Sequence, residues 1–241
     1  MKKPTTTLVT GANSDIGASL CKSLLVAGAR VIAVCHHGSS RLDPLKVEFK
    51  EKIQVIYLDF SDPSSTTEFI EQYQENLDKV DSFVSLAAMR QDVYYGEITA
   101  RNLIDHFVVN VVPIVLLTQY LGESMALRGW GRIVIGSSIG VKFGGGDNTF
   151  CYSLTKYASE LIPKAAIRWS ESGVLTNVVR IGVTNTETLR AIGQESVLAR
   201  AALVPMRRMA EPDEISRLLV WLISEENTFT TGQVISVSGG E

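Results

Sequence analysis

Short apolar runs alternate with longer amphipathic stretches along the whole chain. The strand-like runs are Leu8–Thr10, Val31–Cys35, Ile53–Leu58, Ser82–Leu86, Arg132–Ser137, Leu175–Arg180 and Val234–Val237. The helix-like stretches, with apolar residues three and four positions apart, include Pro63–Asp78, Arg101–Leu127, Tyr152–Ser172 and Pro212–Ser224. Strict alternation of strand and helix predicts a seven-stranded parallel sheet with helices on both faces, in a doubly wound α/β fold. We find no linker, repeat or low-complexity segment, and therefore expect residues 1–241 to form a single domain.

A turn containing two glycines connects the first strand to the first helix. Thr5–Thr10 is followed at once by Gly11-Ala12-Asn13-Ser14-Asp15-Ile16-Gly17 and then by helical spacing of apolar residues over Ala18–Ala27. Strand, glycine turn and helix is a context in which the pyrophosphate of a dinucleotide lies on the helix N-terminus. Taken alone, the segment also fits an ordinary turn, because its spacing differs from G-x-G-x-x-G.

A phenol and an ammonium lie four residues apart in Tyr152-Ser153-Leu154-Thr155-Lys156, on one face of a predicted helix. A free tyrosine loses its proton near pH 10, and a nearby lysine charge lowers that pKa. Such a pair can move a proton to or from a carbonyl or alcohol oxygen. Taken alone, the pair also fits two exposed helical residues.

Together these segments resemble the short-chain dehydrogenase/reductase family, in particular its 3-oxoacyl reductases. Thr10–Gly17 is similar to the family's Thr-Gly-x-x-x-Gly-x-Gly fingerprint, and Tyr152–Lys156 to its active-site motif. Gly131–Ser138 is similar to its catalytic-serine strand, and Asn110 falls where the family carries a helical asparagine. The segment Pro205–Gly240 is similar to the family's C-terminal region, so the resemblance runs in order through nearly the whole chain.

The resemblance implies a Rossmann-type domain and an NAD(P)(H)-dependent oxidoreductase. Such an enzyme transfers a hydride between nicotinamide and a carbonyl or secondary alcohol, and ketone reduction is the expected direction. Tyr152 is the expected proton donor, and Ser138 is the expected second donor to the same oxygen. Lys156 is expected to lower the pKa of Tyr152 and to hold the nicotinamide ribose. Asn110 is expected to keep a water beside Lys156.

The expected cofactor-binding residues follow the ends of the strands. They are Gly11, Asn13, Ser14, Asp15, Ile16, Gly17, His36, His37, Arg41, Asp59, Phe60, Ser85, Ala87, Ala88, Tyr152, Lys156, Gly182, Val183 and Thr186. By the resemblance, Asp59 would lie at the adenine, Ser85, Ala87 and Ala88 beside the adenosine ribose, and Val183 and Thr186 at the carboxamide.

Three positions depart from the family pattern. Asp15 stands at the family's middle glycine, Ser85-Leu86-Ala87-Ala88 replaces Asn-Asn-Ala-Gly, and Ile181-Gly182 replaces Pro-Gly. Asp15 brings a negative charge near the expected pyrophosphate. We interpret it as a helix cap whose carboxylate accepts first-turn N–H groups.

The residues after the second strand bear on the choice of cofactor. Cys35 ends that strand, where NAD enzymes of this architecture carry a carboxylate for the ribose 2′-OH. No Asp or Glu occurs between positions 15 and 43, and His36, His37 and Arg41 follow with the hydroxyls of Ser39 and Ser40. These donors suit a 2′-phosphate. We expect NADP(H) to be favoured over NAD(H), and Cys35→Asp to shift the preference toward NAD.

Composition excludes several other classes. A net charge of −3 does not favour nucleic acid or anionic membrane, and 45% hydrophobic residues is ordinary for a globular chain. We expect neither a signal peptide nor a membrane span. Cys21, Cys35 and Cys151 lack ligand spacing and indicate buried thiols in a reducing cytoplasm, and the histidines lack zinc spacing, so we expect no metal.

The substrate and the assembly are less clearly indicated. Residues Glu187–Val204 predict a short helical lid, and Arg90 could meet an acidic substrate group. The resemblance implies a homotetramer or dimer in which Arg101–Leu127 and Tyr152–Ser172 pack on symmetry mates. The apolar run Val108–Leu117 supports this, because a helix that is apolar most of the way round must be buried on most sides.

Two other functions stay open. The chain could reduce a carrier-bound 3-oxoacyl group in lipid or polyketide synthesis, which would require a basic surface beside the lid, with Arg207, Arg208 and Arg128 as candidates. It could also be a non-catalytic nucleotide-sensing protein, although its complete set of catalytic residues argues against that.

Overall fold

Seven strands in the described part of the chain form one parallel sheet. The computed structural model describes residues 5–191 and 193–241. The strands are β1 (Thr6–Thr10), β2 (Arg30–Cys35), β3 (Ile53–Tyr57), β4 (Ser82–Ser85), β5 (Gly131–Ser138), β6 (Val174–Ile181) and β7 (Val234–Val237). Their order is β3-β2-β1-β4-β5-β6-β7, and all neighbours pair in parallel. The predicted doubly wound, seven-stranded fold is confirmed.

Helices cover both faces of this sheet. They are α1 (Asp15–Val26), α2 (Asp43–Phe49), α3 (Ser65–Gln72), α4 (Gln74–Leu77), α5 (Ala100–Asn110), α6 (Val112–Arg128), α7 (Phe150–Ala158), α8 (Lys164–Arg168), α9 (Glu187–Arg190), α10 (Gln194–Leu203) and α11 (Pro212–Ile223). Helix α1 packs on α11 at one face, and α3 packs on α6 at the other. Successive β1 residues point to opposite faces, so Val9 joins the first hydrophobic cluster and Leu8 the second.

The strand order reverses beside β1. The chain passes outward from β1 through β2 to β3 and then returns to β4 on the other side of β1. In open α/β sheets the ligand crevice lies at the carboxyl ends of the strands, at this reversal. The segments that follow β1, β4, β5 and β6 therefore surround one cleft.

Prolines divide two stretches that the sequence predicts as continuous helices. Arg101–Leu127 breaks at Val111, because Pro113 in the first turn of α6 lacks an N–H for the preceding turn. Within Tyr152–Ser172, the first helix ends at Ala158. Pro163, with a ψ of 149°, is the extended N-cap of α8. The residue before a proline is disfavoured in helical geometry, which explains the break.

The α5–α6 stretch bears on the expectation that no segment spans a membrane. By length and composition alone, Ala100–Arg128 is long and apolar enough to cross a membrane, with a mean hydropathy of 1.5 over its most apolar window. Core helices pass the same test, and α6 contacts β4, β5 and β6. Only 33% of that window is buried within the protein, so much of this helix is left uncovered.

Candidate active site

The turn after β1 is built from close backbone approaches. Gly11 has a φ of +68°, and a Cβ there would lie 2.6 Å from the backbone nitrogen of Ala87. A Cβ at Gly17 would lie 2.3 Å from the carbonyl oxygen of Gly11. The Ser14 hydroxyl accepts from the Gly17 N–H at 3.0 Å and donates to the Gly11 carbonyl at 2.8 Å. Ser14 is thus the N-cap of α1, and a helix start of this kind offers its remaining first-turn N–H groups to an anion.

Asp15 does not cap α1, so that interpretation was wrong. Its carboxylate turns outward and accepts the backbone N–H of Glu187, at the start of α9, at 2.9 Å. The same carboxylate lies 3.5 Å from the guanidinium groups of Arg41 and Arg190. The negative charge at the family's middle-glycine position therefore faces α9.

Two adjoining cavities meet at the ends of β5 and β6. The smaller, of about 320 Å³, extends from Ser14 and Ile16 to Lys156 and Thr186. The larger, of about 700 Å³, extends from the same strand ends to Phe143, Leu203 and Glu241. The residues that line both cavities are Arg90, Ser138, Tyr152, Ile181 and Gly182. Tyr152 and Ser138 thus lie where the contents of the two cavities would meet.

Burial governs the pKa of Tyr152. Desolvation raises that pKa above the usual value for tyrosine, while a hydrogen bond with Ser138 and the charge of Arg90 act in the opposite direction. Tyr152 is therefore protonated at neutral pH, as a proton donor must be. Lys156 Nζ lies 5.8 Å from the centroid of the Tyr152 ring, and its expected lowering of this pKa stays a prediction.

Lys156 is a buried ammonium at the floor of the smaller cavity. Its Nζ donates to the Gly136 carbonyl at 2.7 Å and lies 5.8 Å from the centroid of the Tyr152 ring. Burial lowers the pKa of Lys156 from 10.5 to about 8. An ammonium carries three N–H donors, so the bond to Gly136 leaves two for other acceptors in the cavity.

The fully buried Asn110 side chain makes three hydrogen bonds to other parts of the protein. Its Oδ1 accepts the Met89 N–H at 2.6 Å, while its Nδ2 donates to the Met89 carbonyl at 2.9 Å and to the Thr155 hydroxyl at 2.9 Å. Asn110 thereby ties α5 to the segment after β4 and to α7, one residue before Lys156. Its backbone carbonyl accepts from the Ser159 hydroxyl at 3.4 Å.

The segment after β2 differs from its expected arrangement. Cys35 is 2% exposed and packs in the first hydrophobic cluster, so the exposed side chain at this strand end is His36. The Nε2 atom of His36 lies 3.3 Å from the Asp59 carboxylate, and His37 Nδ1 lies 2.9 Å from His36 Nδ1. The Ser39 hydroxyl is directed inward and donates to Asp43 at 2.7 Å. Position 36, not 35, therefore carries the exposed side chain that follows β2.

Asn13 and Arg41 connect this segment to the glycine turn. The backbone N–H of Arg41 donates to Asn13 Oδ1 at 3.0 Å, and its Nη1 donates to the Asn13 carbonyl at 3.1 Å. Its other terminal nitrogen bonds the Glu187 carboxylate. Arg41 is thus already engaged with α9.

Some expected cofactor residues line neither cavity. Ser85 is buried with its hydroxyl against that of Thr10, Ala87 packs on the second hydrophobic cluster, and the Phe60 side chain is buried in that cluster. Ala88 lines the smaller cavity as expected. Leu86, Ile181, Thr184 and Thr188 also line it, and the sequence reasoning missed them. Counting alternate residues beyond each strand end could have found Leu86 and Ile181.

The loop after β6 completes both cavities. A Cβ at Gly182 would lie 2.5 Å from the Cα of Ser238, so this close approach requires glycine. Val183 lines the larger cavity, and Thr186 lines the smaller one while its hydroxyl caps α9. The lid predicted for 187–204 contains α9 and α10, and Arg200 and Leu203 of α10 face the larger cavity.

Charged pairs border the larger cavity. Arg90 is held by Asp92 through two bonds of 2.7 and 2.9 Å, and Arg200 pairs with Glu241 at 2.7 Å. Within the described ranges, no group of three His, Cys, Asp or Glu side chains is placed to hold a metal ion. The three cysteines are free and buried.

Comparisons with known proteins agree with this geometry. A family model described as enoyl-(acyl carrier protein) reductase matches residues 11–241. The acetoacetyl-CoA reductase of Shinella zoogloeoides is 32% identical over 239 residues, which cover 97% of each chain. The acetoacetyl-CoA reductase of Cupriavidus necator is 30% identical over 240 residues, which cover 96% of each chain. A solved 3-oxoacyl (acyl-carrier-protein) reductase of Agrobacterium tumefaciens with NADP bound has a TM-score of 0.89 at 27% identity, covering 98% of this chain and 94% of that one.

The chain therefore belongs to the short-chain dehydrogenase/reductase family. It is an oxidoreductase that transfers a hydride between a nicotinamide cofactor and a carbonyl or secondary alcohol, and ketone reduction is the supported direction.

Proposed function

We propose that this chain uses NADPH to reduce the ketone of a small 3-oxoacyl thioester to a secondary alcohol. The observation that carries the proposal is the position of Tyr152 and Ser138 on both cavities. The smaller cavity then receives the nicotinamide end of the cofactor and the larger one the substrate. The names of the acetoacetyl-CoA reductase relatives support this substrate class.

The protein contributes position, hydrogen bonds and a proton. When bound, the reduced nicotinamide supplies the hydride to the carbonyl carbon. The Tyr152 hydroxyl donates its proton to the carbonyl oxygen, and the Ser138 hydroxyl donates a second hydrogen bond as negative charge develops there. Lys156 donates its remaining N–H groups to ribose hydroxyls. Asn110 acts as a positioning residue that holds α7, and with it Lys156, against the segment after β4.

The smaller cavity has the donors that a dinucleotide requires. The start of α1 offers N–H groups to the pyrophosphate, because Ser14 occupies only that of Gly17 and Asp15 turns away. The backbones of Gly11, Asn13, Ile16 and Gly17 would border this anion site, Ala88 would contact the adenosine ribose, and Val183 and Thr186 would hold the carboxamide. His36, His37, Arg41 and Asp59 border the adenosine half.

The test of this function is reduction of acetoacetyl-CoA, followed by loss of NADPH absorbance and identification of the hydroxyacyl product. A panel of free oxo acids, sugar ketones and simple ketones run alongside identifies the preferred class. The absence of turnover for every ketone, with NADPH demonstrably bound, would contradict the proposal.

We predict a clear preference of the parent protein for NADPH over NADH in kcat/KM. His36→Asp should lower the ratio of kcat/KM for NADPH to kcat/KM for NADH by at least about tenfold, which corresponds to about 1.4 kcal/mol. The reason is that a carboxylate repels the 2′-phosphate and accepts a hydrogen bond from a ribose 2′-OH. His36→Asn is the matched control, because it removes the imidazole without adding charge. A parent protein that prefers NADH would contradict the assignment.

The apolar face of α5 and α6 supports a homo-oligomer, as the family resemblance implies. Val115 is 56% exposed and Leu161, just after α7, is 83% exposed. Between them lies a cavity of about 300 Å³, lined also by Ile114, Pro163 and Trp169. A second copy of this chain is the occupant we propose, as a tetramer or a dimer.

We predict that Val115→Asp dissociates the oligomer in light scattering, because burying an unpaired carboxylate at an interface costs several kcal/mol. Val47→Asp is the matched control, since Val47 is 77% exposed on α2, away from this face. A parent protein that is monomeric at micromolar concentration would overturn the proposed assembly.

Carrier-bound acyl groups are a second candidate substrate, favoured by the named 3-oxoacyl reductase structure. The basic residues proposed for carrier docking are largely engaged: Arg208 bonds Glu214 through both terminal nitrogens, and Arg128 pairs with Asp81. This favours the small thioester.

We place the reaction in the cytoplasm, a compartment that the free cysteines and bacterial relatives support.

A further inference from the structure

A group of four charged side chains connects three segments at the adenosine side of the cleft. Asp15 belongs to the glycine turn, Arg41 to the segment after β2, and Glu187 and Arg190 to α9. Asp15 accepts the Glu187 N–H and faces both guanidinium groups, while Arg41 also bonds the Glu187 carboxylate. Two acids and two bases thus balance in charge beside Ser14, Ile16, Thr186 and Thr188, which line the smaller cavity.

Arg41 lies at the centre of this arrangement. Its backbone and one terminal nitrogen are fixed by Asn13, so the guanidinium is directed between the glycine turn and α9. Its Nη2 also bonds the Glu187 carboxylate, and its Nε lies 3.5 Å from Asp15. In this architecture an arginine near the end of the second strand is the group that accommodates a 2′-phosphate. Here that arginine is already bound by two carboxylates of its own chain.

We propose that Asp15, Arg41 and Glu187 form an intramolecular latch that sets cofactor choice, because the 2′-phosphate of NADP(H) must compete with Glu187 and Asp15 for the Arg41 guanidinium. This inference rests on the proposed NADP(H) site. The 2′-phosphate gains the guanidinium only when the latch opens, so its affinity is reduced by the fraction of molecules in which the latch is closed. A cofactor without that phosphate does not compete for Arg41 and leaves the latch in place.

The latch also couples the cofactor to the lid. Once Arg41 moves to the phosphate, Glu187 loses its partner and Asp15 keeps only Arg190 and the Glu187 N–H. Helix α9 is then held to the glycine turn by fewer contacts. We therefore expect hydrogen exchange over 187–190 to quicken when the 2′-phosphate binds.

The decisive measurement is calorimetric binding of two probes that differ only in the 2′-phosphate, adenosine 2′,5′-bisphosphate and AMP. Glu187→Gln should tighten binding of the bisphosphate by about 1.5- to fivefold, as expected for removal of an exposed ionic competitor, and leave AMP unchanged. Glu195→Gln, at an exposed position of α10, controls for the loss of one negative charge on the lid. In an Arg41→Met background, Glu187→Gln should have no effect, because the shared partner is gone.

The outcomes separate this inference from the proposed function. Three outcomes would overturn the latch without affecting the proposed cofactor site. Glu187→Gln could tighten both probes equally, or it could leave the affinity for the bisphosphate unchanged. It could also still tighten the bisphosphate in the Arg41→Met background. If the parent protein binds neither probe nor NADPH, the proposed cofactor site fails, and the latch fails with it.

Discussion

Tyr152→Phe should lower kcat for ketone reduction by a factor of about 10²–10⁴ while the protein still folds and binds NADPH. The substitution removes one hydroxyl, the proton donor for the carbonyl oxygen, and losing a positioned general acid typically costs this much. The ring remains to pack beside Lys156, whose Nζ lies 5.8 Å from its centroid. Steady-state kinetics with a thermal melt and NADPH titration of the same preparation measure all three quantities.

Tyr157→Phe is the matched control, because Tyr157 is 63% exposed and lines neither cavity. It should turn over at the parental rate. Ser138→Ala should fall between the two variants, since Ser138 donates a hydrogen bond and not the proton. If Tyr152→Phe reduces substrate as fast as the parent, another group supplies the proton and the proposed mechanism is wrong.

The periodicity of the chain was sufficient to predict the sheet. Each strand-like run lies within one or two residues of an observed strand, because continuous Val, Ile and Leu runs are what a parallel strand buried on both faces requires. The helices were predicted less well. Apolar spacing does not show that each predicted helix is divided, with Pro113 in the first turn of α6 and Pro163 at the N-cap of α8.

The candidate site was predictable to the level of segments but not of side-chain partners. The strand ends carry Ser138 and Gly182 to the cleft, as parallel topology demands. The side chain of Cys35 was assigned to the cleft although it is buried, because a strand pattern alone does not show which of two adjacent residues turns inward. Asp15 was interpreted as a helix cap because the local sequence does not show its partner Glu187, which lies 172 residues away along the chain.

Lys156→Met should abolish most activity and yet raise the stability of the protein at neutral pH. The pKa of Lys156 falls from 10.5 to about 8 on folding, which at 1.36 kcal/mol per unit corresponds to a penalty of about 3 kcal/mol for burying the ammonium. Below pH 8 both states are protonated and the full penalty applies. Between about pH 8 and 10.5 the unfolded chain binds the proton and the folded one does not, so this contribution to stability rises with pH.

Methionine carries no charge and fills a similar volume, so it should remove this penalty, less the roughly 1 kcal/mol lost with the hydrogen bond to Gly136. The expected gain in the free energy of unfolding at pH 7 is about 2 kcal/mol, and it should shrink as the pH rises toward 10. Denaturant unfolding of both proteins across this range measures the difference, with the exposed Lys79→Met as a control that should change little. Two results would contradict this prediction: a Lys156→Met protein that is less stable than the parent at pH 7, or a gain in the free energy of unfolding that does not decline as the pH rises. Either would show that burial of the Lys156 ammonium does not destabilise the folded protein.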